Sequence, residues 1–295
     1  MMLKIEVPED FNFEQCLRFL NRNALESTHH VLTDGVLKLQ PTSKGPMLLS
    51  IKRNSKDLEI AILNGEPDVA VQEEIEVFAK DWFDLQTELT DFYSRTKDDP
   101  VLGGLVKKYG GLRLIGIPDL FEALGWAIIG QQINLTFAYQ LKKRMVETFG
   151  EKFTYNNQDH YSFPDPKLIA PLQPEDLRGM QFSNSKARYL INLAQSAVEG
   201  KLNKQELQSM SISEASDHLC QFKGIGPWSA HYAIMKCLRF PSAFPIADVG
   251  LHHAIKNQLK LAEKPSIEQI KELAANWKGW EAYATFYLWH SLIID

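Results

Sequence analysis

Two patterns of apolar and polar positions divide the chain. Residues 1 to about 65 alternate apolar and polar side chains over short runs, as half-buried β-strands do. The run VLTDGVLKLQ contains Asp34 and Gly35 between two such arms, which is a strong signal for a tight hairpin. MLLSIKRN and DLEIAILN flank a second turn at residues 54–56. The pattern predicts an antiparallel β-sheet at the start of the chain.

After this region the apolar positions recur at helical spacing. Residues 69–95 predict one helix, and a second, long helix is predicted to open at residues 117–119 and to end at Gly150. Three further helical stretches precede a glycine-rich turn at residues 222–226, and four follow it. The expected fold class is α+β, with an N-terminal antiparallel β-sheet domain followed by a mainly α-helical body.

The composition excludes several classes of protein. The 295 residues are 44% hydrophobic and 23% charged, which is typical of a globular protein. No apolar run approaches the roughly 20 residues that a membrane span needs, and MMLKIEVPEDFNF lacks the apolar core of a signal peptide. We therefore expect a cytoplasmic protein that is not secreted and has no membrane partner. Cys16, Cys220 and Cys237 show no metal-ligand spacing, so neither a disulfide framework nor a four-thiolate iron–sulfur cluster is expected.

The acidic balance of the chain limits how it can bind nucleic acid. The net charge is −5 and the pI is about 5.9, which argues against a broad basic binding face. Binding through backbone amides and a few placed cations is compatible with this charge.

The segment FKGIGPWSAHYAIM, residues 222–235, places two glycines directly before a helix. Gly224 and Gly226 allow positive φ and close approach of another backbone, while Pro227 fits the first position of the helix. Successive N–H groups at a helix start form an anion site, so this turn can hold a phosphate with little side-chain charge. The plainer interpretation is a corner between two helices whose glycines serve packing alone.

The segment RFPSAFPIADVGLHHAI places Asp248 immediately before another helix. By itself this is the position of a helix N-cap. A carboxylate there can also stabilise an oxocarbenium-like sugar, or position a water, when an N-glycosidic bond breaks. Together with a phosphate-binding turn, Asp248 indicates a glycosylase that acts on nucleic acid.

These two segments resemble the helix-hairpin-helix DNA glycosylase superfamily, and more narrowly its DNA-3-methyladenine glycosylase II (AlkA-type) branch. The match extends to FEALGWAIIGQQI, RGMQFSNSKARYL and WKGWEAYATFYLWH, so it covers most of the chain. The resemblance implies a β-rich domain at 1–98 and a helical domain at 119–241 that ends in the hairpin. It implies that 99–118 with 242–295 form a second helical subdomain, which completes the active-site cleft.

The resemblance also implies a role for each residue that matches the superfamily's motifs. Asp248 is the expected catalytic residue, and Gln132 is the expected wedge that fills the gap left by an everted nucleotide. The expected lining of the base pocket is Trp228, Tyr232, Trp289 and Phe19. The expected contacts to the DNA backbone are Lys223, Gly224, Ile225, Gly226, Lys186 and Arg188. Backbone carbonyls near Gln221, Phe222 and Ile225 are expected to hold a monovalent cation, Na⁺ or K⁺.

Plainer interpretations stand beside these roles. A lone aromatic residue is more often part of the core, although Trp228 and Tyr232 are four apart and share one helix face beside the turn. Lys186 and Arg188 could equally be solvated helix charges, and Gln132 a solvated helical glutamine.

Superfamily members that also nick the strand use a lysine at the position of Trp228. The resemblance therefore implies a monofunctional enzyme that flips out alkylated purines, of the 3-methyladenine and 7-methylguanine type. It would hydrolyse their N-glycosidic bond in base excision repair, as a monomer on double-stranded DNA of a bacterial nucleoid, with no required cofactor. The alternatives are excision of another damaged base, such as 8-oxoguanine or a deaminated purine, and a non-catalytic protein that only binds DNA through the hairpin.

Overall fold

The computed structural model describes residues 2–293. Residue 1 of the predicted unit 1–98, and residues 294–295 of the predicted second helical subdomain, lie outside the described residues. The N-terminal part contains β1 Met2–Glu6, helix α1 Phe13–Leu20, β2 His30–Val31, β3 Gly35–Gln40, β4 Met47–Asn54 and β5 Asp57–Ile62. These strands form one antiparallel sheet in the order β1-β5-β4-β3-β2. Both predicted hairpins are confirmed, because Val31 pairs with Val36 and Asn54 with Asp57 across the two turns.

The rest of the chain is mainly helical, which confirms the α+β class. The first helices are α2 Val69–Trp82, α3 Thr90–Thr96, α4 Gly103–Lys108, α5 Leu120–Gly130 and α6 Leu135–Phe149. A short hairpin of β6 Lys152–Tyr155 and β7 Gln158–Tyr161 follows, and then α7 Pro166–Ile169, α8 Pro174–Arg178, α9 Asn184–Val198, α10 Lys204–Gln208 and α11 Ile212–Cys220. The last elements are α12 Pro227–Ala233 with a π-helical turn Ile234–Leu238, α13 Val249–Gln258, α14 Ile267–Leu273 with a 3-10 turn Ala274–Trp277, and α15 Glu281–His290. Among the described residues, no helix has the length and apolar character needed to cross a bilayer.

The prediction of one helix over residues 69–95 was wrong. Helix α2 ends at Trp82, and Asp84 has a left-handed φ of 50° before α3 begins. A left-handed residue cannot continue a right-handed helix. Apolar side chains continue through the interruption, which is why their spacing alone concealed it.

The long helix predicted from residues 117–119 to Gly150 is also divided. Helix α5 ends at Gly130, Gln132 has a φ of 55°, and Asn134 caps the start of α6 by accepting a hydrogen bond from the backbone N–H of Phe137. Gln132 is therefore an exposed loop residue, and the alternative of a helical glutamine was wrong.

One hydrophobic core joins the sheet domain to the helical body. Helix α5 is buried along most of its length because α6, α9 and α12 pack around it. Helix α12 packs on α11 as well, and α13 packs on α15. These contacts set α12, α13 and α15 around one cleft, where the candidate site lies.

Two elements depart from the predicted division into a strand-rich start and a helical body. Helix α1 interrupts the strand-rich region, and the β6–β7 hairpin lies between helices, with its turn formed by two left-handed residues, Asn156 and Asn157. Phe153 and Tyr155 of this hairpin pack on a small apolar cluster of the N-terminal sheet. The boundaries of the three units stay a prediction.

Candidate active site

Asp248 begins α13 at the end of a proline-containing loop. Its side chain caps the helix, because Oδ1 accepts the backbone N–H of Leu251 at 2.8 Å. The carboxylate is nevertheless half-buried rather than enclosed in the core, and Val249 beside it is 61% exposed. The capping role and a role in chemistry are therefore compatible.

Two indole N–H groups from different helices converge on this carboxylate. Trp289, near the end of α15, donates from Nε1 to Oδ1 at 2.8 Å. Trp228, in the first turn of α12, donates from Nε1 to Oδ2 at 3.1 Å. With the Leu251 amide, three N–H donors contact the two oxygens of this carboxyl group. The direction of the carboxylate is thereby fixed, as preorganised electrostatic stabilisation requires.

Tyr232 completes an aromatic wall beside Asp248. Its ring centroid lies 5.7 Å from that of Trp228 and 6.0 Å from that of Trp289. The two indoles are partly exposed, whereas Tyr232 is buried. Burial raises the pKa of the Tyr232 hydroxyl well above its usual value, and a hydrogen bond with the Trp126 side chain is among the effects that oppose this rise. Three of the four predicted pocket aromatics thus lie together.

Phe19, the fourth predicted pocket aromatic, lies in the wall of a cavity between the sheet domain and the helical body. Its ring packs against Phe286 with centroids 4.4 Å apart, and the Arg22 guanidinium lies 4.1 Å from its centroid. Only 4% of Phe19 is exposed. Its contact with a base stays a prediction, because Arg22 covers a face of the ring.

Gly250 was not singled out from the sequence, yet the site depends on its lack of a side chain. A Cβ at this position would lie 3.0 Å from Oδ1 of Asp248 and 3.3 Å from Cδ1 of Trp289. The hydrogen-bonded pair therefore leaves little room for any residue larger than glycine.

The glycine turn joins α11 to α12 as a helix-hairpin-helix. Gly224 has a φ of 96°, and a Cβ there would lie 2.3 Å from the ring of Tyr189 on α9. In the described part of the chain, the amides of Gly224 and Gly226 donate no hydrogen bond, and Lys223 is exposed. The Ile225 amide instead donates to the Phe222 carbonyl at 3.0 Å. The N–H of Ile225 is therefore used within the turn, and the contact of Ile225 with the DNA backbone stays a prediction.

Gln131, which the sequence reasoning missed, ties the hairpin to the loop between α5 and α6. Its Nε2 donates to the Gly224 carbonyl at 2.8 Å and to Oγ of Ser229 at 3.0 Å. The neighbouring Gln132 is exposed and has a left-handed backbone, and it lies on the loop that Gln131 ties to the hairpin. The QQ pair was a visible signal, but only the fold shows that its two members differ in role.

The two cations predicted on α9 differ in accessibility. Lys186 is 8% exposed, and its Nζ donates to the Ile129 carbonyl at 2.7 Å, near the end of α5. Burial lowers the pKa of this amine. In the structure this amine supports the loop after α5, and its contact with the DNA backbone stays a prediction. Arg188 is exposed, and its contact with DNA stays a prediction.

The hairpin also contains the carbonyls predicted to hold a monovalent cation, those of Gln221, Phe222 and Ile225. The Phe222 oxygen accepts one hydrogen bond and retains a second lone pair. Neutral carbonyl oxygens are the donors that K⁺ accepts, so these residues fit such an ion. Across residues 2–293, no group of three or more His, Cys, Asp or Glu side chains could hold a metal ion.

A glycine-containing helix-hairpin-helix that leads to a fixed carboxylate beside an aromatic wall is typical of one class of protein, the DNA glycosylases of base excision repair. Residues 126–280 match the family described as HhH-GPD superfamily base excision DNA repair protein, and residues 4–124 match the 8-oxoguanine DNA glycosylase N-terminal domain. The chain belongs to the HhH-GPD superfamily.

Known proteins resemble the chain over nearly its full length. It is 40% identical to a DNA-3-methyladenine glycosylase of Bacillus subtilis, covering 99% of this chain and 97% of the relative. The fold matches a 3-methyladenine DNA glycosylase from Archaeoglobus fulgidus with a TM-score of 0.84 at 23% identity, covering 97% of each chain. It also matches a Clostridium acetobutylicum 8-oxoguanine glycosylase/lyase in complex with double-stranded DNA, with a TM-score of 0.74 at 19% identity, covering 99% of this chain and 97% of that one. The last two likenesses concern the fold alone.

Proposed function

We propose that the chain is a monofunctional DNA glycosylase that releases alkylated purines, of the 3-methyladenine and 7-methylguanine type, from double-stranded DNA. The observation that carries this proposal is the Asp248 carboxylate, which accepts three N–H donors and stays half-exposed beside an aromatic wall. The name of the Bacillus subtilis relative, DNA-3-methyladenine glycosylase, supports the same substrate class.

The hairpin anchors the damaged strand. Phosphate oxygens accept from the amides of Gly224 and Gly226, and Lys223 and Arg188 add positive charge at the surface. The base cannot be reached inside the duplex, so the nucleotide rotates out and Gln132 fills the gap in the stack. Because Gln131 links this loop to the hairpin, the wedge and the clamp keep a constant separation.

Asp248 then acts on the sugar of the everted nucleotide. As the bond between C1′ and the base nitrogen breaks, the base takes the electron pair and the sugar gains positive charge, which the carboxylate stabilises. A water oxygen bonds to C1′, and its proton leaves to Asp248 or solvent. The products are the free base and an abasic site.

The aromatic wall favours alkylated purines. Methylation at N3 or N7 gives the base a positive charge, and the electron-rich faces of Trp228, Tyr232 and Trp289 attract cations. A cationic purine also departs as a neutral molecule, so its bond to the sugar is weak. Selection among bases therefore depends on the strength of the glycosidic bond as well as on the shape of the base.

The absence of lyase activity is part of the proposal. Trp228 stands where bifunctional relatives carry the lysine that attacks the sugar. Lys236, the lysine of α12 and its π-helical turn, is 3% exposed and donates to the Ile115 carbonyl. We further propose that the protein acts as a monomer on cytoplasmic, nucleoid DNA without a required cofactor. A Na⁺ or K⁺ ion on the turn carbonyls would strengthen the phosphate clamp.

The test is chromatographic identification of the bases that purified protein frees from methylated, deaminated and oxidised duplex DNA. We expect 3-methyladenine and 7-methylguanine in excess, with no product trapped by borohydride. Release of 8-oxoguanine alone would contradict the substrate class, and a borohydride-trapped adduct would contradict monofunctional chemistry. Binding without release of any base would leave only a DNA-binding hairpin.

A further inference from the structure

A cavity of about 410 Å³ lies between the sheet domain and the helical body. One end of it, which we call the arginine end, is lined by Phe19, Arg22, Trp126, Tyr139 and Lys236. The volume lies in the range of roughly 300–1,000 Å³ that is usual for small-molecule sites. The cavity as a whole therefore has room for a small molecule such as a planar heterocycle.

Aromatic contacts connect the arginine end to the wall beside Asp248. Tyr232, which contacts both indoles of the wall, lies on α12, and α12 packs against α5, the helix that carries Trp126. The Trp126 ring lies 4.8 Å from that of Tyr139, and the Arg22 guanidinium lies 5.8 Å from the Tyr139 ring.

Arg22 carries a charge that no carboxylate neutralises. Its Nη1 donates to the Phe19 carbonyl at 2.9 Å, and no ion pair joins it to an acid among residues 2–293. Glu26, four residues further along the sequence, forms an ion pair with Lys142 at 2.9 Å instead. The other N–H groups of the guanidinium are therefore not committed to a counter-ion. The amine of Lys236 lies at the same end, with Nζ 5.0 Å from the centroid of the Phe19 ring.

We propose that Arg22 determines specificity by donating to the far edge of the everted base and so assisting the departure of neutral purines. This inference rests on the proposed function, because it assumes that a base enters beside Asp248. The ligand class is a neutral 6-oxopurine, whose O6 and N7 accept from a guanidinium.

The charge balance of the two substrate classes explains why Arg22 separates them. When a neutral purine leaves, the electron pair of the glycosidic bond stays on the base, which becomes an anion until a solvent proton neutralises it. Guanidinium donors stabilise that anion as it forms. A cationic methylpurine takes the same electron pair and leaves neutral, so Arg22 contributes little to its departure.

The experiment measures single-turnover release of hypoxanthine and of 7-methylguanine from otherwise identical duplexes. For Arg22→Met we expect hypoxanthine release to fall about tenfold to hundredfold and 7-methylguanine release to change less than about threefold, since one charged hydrogen bond is lost for one class only. Arg22→Lys keeps the charge and should recover part of the loss. Arg95→Met removes an exposed arginine paired with Asp91 and should change neither rate.

The pH profile separates this role from a structural one. Without Arg22 the leaving anion must be protonated from solvent, so hypoxanthine release by Arg22→Met should fall as pH rises, more steeply than in the parent protein. A variant that merely loosens the fold would slow both substrates at every pH. Thermal unfolding of both variants checks the fold. If Arg22→Met is unstable, the two release rates of Arg22→Lys are compared with those of the parent protein instead.

Two results would overturn the inference: equal effects of Arg22→Met on both substrates, or a parent protein that releases no hypoxanthine. A parent protein that releases hypoxanthine but no methylated purine would instead contradict the proposed function. In that case a selective loss in Arg22→Met would still support the role of Arg22.

Discussion

The bond from Trp289 to Asp248 allows a prediction with a worked magnitude. Trp289→Phe keeps an aromatic ring in the wall but removes the N–H that Oδ1 accepts at 2.8 Å. A hydrogen bond to a charged group contributes about 1.5–3 kcal/mol, and about 1.4 kcal/mol of barrier is tenfold in rate. Because the bond directs the carboxylate toward the sugar, we expect base release to slow about tenfold to hundredfold. Trp228→Phe removes a longer hydrogen bond, of 3.1 Å, and should slow base release less than Trp289→Phe does.

The assay is single-turnover release of 7-methylguanine with enzyme in excess, with DNA affinity measured in parallel by fluorescence anisotropy. Trp280→Phe is the matched control, because its indole N–H donates to the Asp91 carboxylate at 2.7 Å on the surface. It loses the same kind of bond and should keep the parental rate. Parental release by Trp289→Phe, or an equal loss in Trp280→Phe, would refute the reasoning.

Three further predictions concern the site, the hairpin and the sheet domain. Gly250→Ala should slow base release, because its Cβ would lie 3.0 Å from Oδ1 of Asp248 and would displace the carboxylate; an unchanged rate would contradict the steric argument. Gly224→Ala should destabilise the protein by roughly 1–3 kcal/mol in urea unfolding, since its φ is 96° and its Cβ would overlap a tyrosine ring. Gly226→Ala, with no atom within 4 Å, should cost less, because it loses only the preference for glycine over alanine at the N-cap of α12; similar effects of the two would be inconsistent with this geometry. Burial lowers the pKa of His29 to about 4, so as pH falls the unfolded chain takes up the His29 proton before the folded chain does. The stability present above pH 6.5 is therefore lost between pH 6.5 and about 4. His29→Gln should lose less stability across that window, and an equal loss would count against His29 as its source.

The parts of the site that were predictable are those that are close in sequence or carried by a motif. Trp228 and Tyr232 are four residues apart on a predicted helix, and their rings lie 5.7 Å apart in the structure. Asp248 was recognisable because a carboxylate before an apolar helical run is an N-cap signal, and it does cap α13. Trp289 was placed by the resemblance alone, since 41 residues separate it from Asp248.

The residues that were missed act through tertiary contacts. Gln131 meets Gly224, and Arg22 meets Tyr139, across about a hundred residues each, so no local pattern links them. Lys186 shows the opposite error: its place near a helix start indicated an exposed cation, but packing of α9 on α5 buries its stem and gives its ammonium a carbonyl partner.

The interruption between α5 and α6 shows how a local signal can be overruled. Apolar positions recur on both sides of residues 131–134, so the spacing favoured one helix. Asn134 was nevertheless a visible N-cap candidate, and its side chain does accept from the Phe137 amide. The left-handed Gln132 completes the break, and the loop this creates carries the predicted wedge.

The central claim is that Asp248 acts on the sugar while the hairpin holds the strand, and Asp248→Asn tests it most directly. Asparagine can still cap α13, so the fold and the clamp are expected to persist. Asp68→Asn, a change at the N-cap of α2, is the matched control. The measurement pairs single-turnover release of 7-methylguanine with affinity for a duplex that contains an abasic-site analogue. We predict release slowed about a hundredfold to a thousandfold with affinity retained, as for the loss of one preorganised electrostatic group. Parental release by Asp248→Asn, with the same affinity, would contradict the account.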